Sequence, residues 1–66
     1  MTDRERLEPW LDYVGTVTGQ QVKHKETAIH VGIRRYSFNR EGELTKVQEL
    51  KAQTPAGPAY RTIGEA

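Results

Sequence analysis

The chain has 66 residues, with ten Lys and Arg against nine Asp and Glu, no cysteine and 35% hydrophobic residues. That length excludes a large enclosed pocket, and the absence of cysteine excludes disulfide reinforcement of a domain at the small end of stable sizes. Two histidines without a cysteine argue against a closed zinc site, so docking onto a partner or a second copy is the expected source of extra stability.

Residues 1–6 are polar and charged, and no apolar run reaches ten residues. The reading is therefore of a cytoplasmic chain with no signal peptide, no transmembrane helix and no membrane partner. The formal net charge of +1 is unevenly spread. Residues 1–21 carry Arg4 and Arg6 against Asp3, Glu5, Glu8 and Asp12, a net −2. Residues 22–40 carry Lys23, Lys25, Arg34, Arg35 and Arg40 against Glu26, a net +4. The remainder, with Lys46, Lys51 and Arg61 against Glu41, Glu43, Glu49 and Glu65, is −1.

Along the chain, Thr2 and Glu5 have capping-box spacing, and Leu7, Trp10, Leu11 and Val14 follow at helical intervals. A helix over 4–14 is predicted, bent near Pro9 and ended by Gly15, with Trp10 as its core anchor. β-branched residues from Thr16 onward then point to extended chain. Residues 27–38 read as the strongest strand, with Ile29, Val31 and Ile33 alternating toward a core. Residues 39–42, Asn-Arg-Glu-Gly, form a hairpin connection. Residues 43–53 read as a returning strand, with a helix as the alternative because Leu44, Val47 and Leu50 are three apart. The two prolines of 54–58 break that element, and 59–63 supplies a short edge strand.

The fold predicted is a single α+β domain over 1–66, with residues 1–3 and 64–66 loose. One N-terminal helix packs on a small antiparallel sheet of three to four strands. The alternative is a small SH3-like β-barrel with a helical appendage.

No phosphate loop, nucleophile elbow or carboxylate pair attaches to a conceivable cleft, so an enzyme and a cofactor are not expected. Were His24 and His30 on one extended strand, they would share a face about 20 Å apart, too far to cooperate. Two binding features remain. An uninterrupted pleat through 27–38 would place His30, Gly32, Arg34, Tyr36 and Phe38 on one outer face, interleaving cations and rings as single-stranded nucleic-acid binders do. Lys23, Lys25, Arg35 and Arg40 extend that candidate nucleic-acid site. Against it, a bulge at Arg34-Arg35 or an equivalent sheet corner would turn Tyr36 and Phe38 into the core. The second feature is a candidate interface at Trp10 and Tyr13, where flanking Glu8 and Asp12 could receive the basic segment of a second copy. The primary expectation is a small non-enzymatic protein-binding or regulatory module (adaptor, inhibitor or subunit) whose partner is another protein or a second copy of itself. The alternative is a nucleic-acid-binding module using 23–40.

Overall fold

Thr2 starts the structure by capping a helix, α1 (Asp3–Thr18). In this computed structural model, which describes residues 1–65, its hydroxyl accepts from the Glu5 amide at 3.1 Å and the Glu5 carboxylate accepts from the Thr2 amide at 3.1 Å. Asp3 and Glu5 also place negative charge at the positive end of the helix dipole. The helix passes continuously through Pro9 and does not stop at Gly15. Residues 16–18, expected extended, are helical, and the Thr16 and Thr18 hydroxyls donate back to the carbonyls of Asp12 and Val14. The left-handed terminus falls at Gly19 (φ 72°), whose amide and that of Gln20 both close onto the Gly15 carbonyl.

Five antiparallel strands follow as a meander: β1 (Val22–His24), β2 (Ala28–Val31), β3 (Arg34–Phe38), β4 (Leu44–Thr54) and β5 (Gly57–Glu65), in the order β1-β2-β3-β4-β5. The sheet is open, with β1 and β5 as its edges, which replaces the barrel alternative. The count exceeds the expected three to four because residues 27–38 are two strands. Gly32 and Ile33 form a two-residue loop between the paired Val31 and Arg34, and Gly32 takes the positive φ (57°) that such a loop needs at its first position. Ile33, expected inside with Ile29 and Val31, is therefore 51% exposed at a turn.

The 39–42 connection forms as read: the Asn39 side-chain oxygen accepts from the amides of Glu41 and Glu43, and Gly42 has φ 81°. Its return strand, β4, excludes the helix alternative. A register shift between Ser37 and Phe38 leaves Thr45 without a partner, which carries Leu44 and Val47 to the same face despite their three-residue spacing. Pro55 and Ala56 turn β4 into β5, closed by the Thr54 hydroxyl donating to the Gly57 carbonyl at 2.6 Å. Pro58, expected outside any ladder, lies within β5 opposite Gln53, a position open to proline because β5 is an edge. Of the ends expected loose, Thr2 and Asp3 are engaged by α1, β5 continues through Gly64 to Glu65, and Ala66 lies outside the described residues.

The core between α1 and the sheet consists of Leu11, Ile29, Val31 and Phe38, with Leu7, Val14, Val22, Tyr36 and Leu44 packed around it. Arg4 ties one end of α1 down: its guanidinium lies 5.7 Å from the Phe38 ring centroid and donates to the carbonyls of Lys25 and Glu26 at 2.6 Å each. One flank of the helix faces β1, where Asp12 meets His24 Nε2 at 3.0 Å. The other faces β4, where the Asp3 carboxylate accepts from the Leu44 amide at 2.9 Å. Trp10 and Val17 follow Asp3 at seven-residue steps along this second flank. Trp10 is thus about 100° around the helix from Leu11. It is 58% exposed rather than the core anchor expected of it, because Leu7, Leu11 and Val14 already fill the buried stripe. Among the described residues, no helix is long and apolar enough to cross a membrane.

Candidate functional site

The hairpin loop at Gly32-Ile33 decides where the basic and aromatic side chains of 23–40 point. Because Val31 pairs with Arg34, Arg34 and Tyr36 share the helix-facing side of the sheet, and Arg35 takes the outer side. Tyr36 is half-buried opposite Ile29 and Val47, and Phe38 is only 4% exposed. The predicted single face of His30, Gly32, Arg34, Tyr36 and Phe38 therefore does not exist. The rings joined the core through a turn that acts as the anticipated sheet corner.

Arg34 reaches toward Glu49 (Nε to Oε2, 3.7 Å), which also receives Arg61 at 3.2 Å. Arg40 stands apart in the β3–β4 loop, beside a recess it shares with Arg4, Glu26 and Asn39. Lys25 projects from the turn after β1. The structure does bring Lys23, His30 and Arg35 together, in one row across β1, β2 and β3. His24 and His30, imagined on one strand, sit on adjacent strands and opposite faces: His24 pairs with Ile29 and meets Asp12 below the sheet, while His30 looks out between Lys23 and Arg35. Partial burial and the nearby charges of Arg35, Lys25 and Lys23 push the His30 pKa below its ordinary value.

Two residues of this outer face carried no signal in the sequence. Arg35 lies over the Tyr60 ring, 4.1 Å from its centroid, and its Nε donates to the Gln48 side-chain oxygen at 3.1 Å. A second guanidinium nitrogen, Nη2, donates to the same oxygen. Gln48 and Tyr60 reach Arg35 only through the β3–β4 and β4–β5 registers, which no local pattern reveals.

The other face is incompletely covered by α1 and mixes apolar side chains with the Arg34–Glu49–Arg61 cluster. Trp10 and Tyr13 stack on each other at the helix surface, with ring centroids 5.8 Å apart and an interplanar angle of 28°. Beside that flank, Val14, Val31, Ile33, Tyr36, Arg34 and Glu49 line an open recess of about 270 Å³. Val47, opposite Gly64, continues this surface onto β4. No protein-family model matches the sequence, and no curated protein or solved structure matches it either.

Proposed function

We propose that the chain is a small non-enzymatic protein-binding module, an adaptor, inhibitor or regulatory subunit, whose first partner is a second copy of itself. One observation carries this reading: α1 packs over β1, β2 and β3, leaving Trp10 and Tyr13 exposed on the helix and an open recess lined by Val14, Val31, Ile33 and Tyr36 with Gln20, Arg34 and Glu49. Each copy thus owns both a ridge, Trp10 with Tyr13, and a trough, so one two-fold axis lets each ridge fill the other trough. A core of four buried side chains among the described residues leaves much apolar surface for such a contact to cover. Trp and Tyr are the side chains most often found at the energetic centre of an interface.

Charge pairing is not the driving force. Glu8 and Asp12 turn away from the recess and engage Arg4 and His24. Sedimentation velocity from micromolar to sub-millimolar protein should show a monomer–dimer equilibrium that changes little with salt. Trp10→Ala, at an exposed position, should weaken it by about tenfold or more while leaving the circular dichroism spectrum intact. A strict monomer throughout the range overturns the reading.

A further inference from the structure

We infer that the sheet face opposite α1 binds a single-stranded nucleic acid, with Lys23, Lys25 and Lys46 on phosphates and a base stacked on the guanidinium of Arg35.

The strand registers put Lys23, His30, Arg35, Gln48 and Thr62 in one row across all five strands, on the side away from the helix. Lys46 belongs to the next row, between Ser37 and Glu65. Lys25 follows Lys23 by two residues, and its charge is felt at His30. Among the described residues, none of Lys23, Lys25, Arg35 and Lys46 makes an ion pair. Asp3, Glu8, Asp12 and Glu49 are engaged on the helix side, while Glu65 faces Lys46 across the strands at the corner of the basic face. The fold thus divides the basic middle of the sequence: Arg34 meets Glu49 on the helix side, while Lys23 and Arg35 stand on the opposite face.

Arg35 makes this more than a charged patch. The Tyr60 ring against it and the Gln48 oxygen accepting from two of its nitrogens fix the guanidinium in place before any ligand arrives. A planar cation presented this way is a stacking surface for an unpaired base as well as a phosphate donor. Ala28, Ser37 and Thr62 add short side chains to the face, and Leu50 lies on it opposite Tyr60. The large exposed apolar residues Trp10, Tyr13 and Val17 are on the helix and Ile33 is in the turn. An oligonucleotide finds on the basic face cations for its phosphates and a planar group for a base.

Fluorescence anisotropy with a labelled mixed-sequence single-stranded oligonucleotide tests this. Binding should appear at micromolar protein at low salt, with log K falling linearly in log salt by about 0.7 for each phosphate held. Lys23→Gln and Lys46→Gln should each lower that slope by about 0.7. Arg35→Lys keeps the charge but removes the plane, so it should weaken binding about tenfold with the slope nearly unchanged. Trp10→Ala should leave binding intact, which separates this face from the recess. Absence of binding at tens of micromolar overturns the inference, as does Arg40→Gln weakening binding as much as Lys23→Gln. Equal capture by polyglutamate or by anionic vesicles also overturns it, pointing to an acidic protein or a lipid surface instead.

Discussion

Gly15 of α1 lies directly against Val22, the first residue of β1: a methyl group on Gly15 would overlap the Val22 Cγ2 and stand 3.1 Å from the Gln20 carbonyl oxygen. Alanine at this helix-interior position would gain about 1 kcal/mol in helix propensity. Overpacking of a tight joint costs about 1–3 kcal/mol, and the β-branched Val22 cannot swing aside. Gly15→Ala should therefore destabilise by about 1 kcal/mol in urea unfolding. Val22→Ala made in the same chain should recover part of that loss, a coupling of about 0.5–3 kcal/mol. A Gly15→Ala chain more stable than the parent would show that α1 does not press on β1.

Ile29 and Ile33 look alike in sequence and differ in structure, fully buried against 51% exposed. Ile29→Ala should cost about 2–5 kcal/mol, as cavity-forming core substitutions do. Ile33→Ala should change stability by no more than about 0.5 kcal/mol. Denaturant midpoints of the two variants decide between a hairpin and a continuous strand over 27–38. Equal losses would restore the continuous strand.

The N-terminus of α1 is held from both directions. Thr2→Ala removes the capping hydroxyl and should cost about 1 kcal/mol. Gly42 needs its positive φ, and a Cβ there would meet the Thr2 Cβ and Oγ1 at 2.9 Å each. Gly42→Ala should cost more than Thr2→Ala, since about 1–2 kcal/mol of left-handed strain adds to the contact. Thermal unfolding of both variants checks the order.

His30 makes stability depend on pH in a stated direction. Burial, Arg35, Lys25 and Lys23 hold its folded pKa below the ordinary 6.5, so the unfolded chain binds its proton first as pH falls. The favourable contribution is complete above pH 6.5 and declines as pH drops from there to the folded pKa. His30→Gln should flatten that part of the stability–pH curve relative to the parent, and an NMR titration should place the His30 inflection below that of a free histidine. An inflection at or above 6.5 would mean the three cations do not face the ring.

What could be read in advance was what is local. The Thr2–Glu5 box, the Leu7-Leu11-Val14 stripe and the Asn39–Gly42 turn each depend on residues within a few positions, and each is present. Gly32-Ile33 escaped because an isoleucine in a two-residue loop continues the apolar alternation and hides the reversal. Gly15 misled because a glycine required for close packing looks the same as one required for a helix end. On the binding faces, the basic residues of 23–35 were visible as charge, but their division between faces follows from one loop. Tyr60 lies 25 residues from Arg35 and meets it only after two hairpins have formed.

The ties at the start of α1 impose an order on synthesis. Each strand pairs with its neighbour in sequence, so the hairpins can close as soon as they leave the ribosome, with small loops to restrict. The helix is made first, yet the Gly42 carbonyl that accepts from the Arg4 amide and the Leu44 amide that meets Asp3 arrive some forty residues later. The apolar side of the helix, Leu7, Leu11 and Val14, gains its partners on β1, β2 and β3 by Phe38, so the helix can dock before the ties that pin its first turn are made.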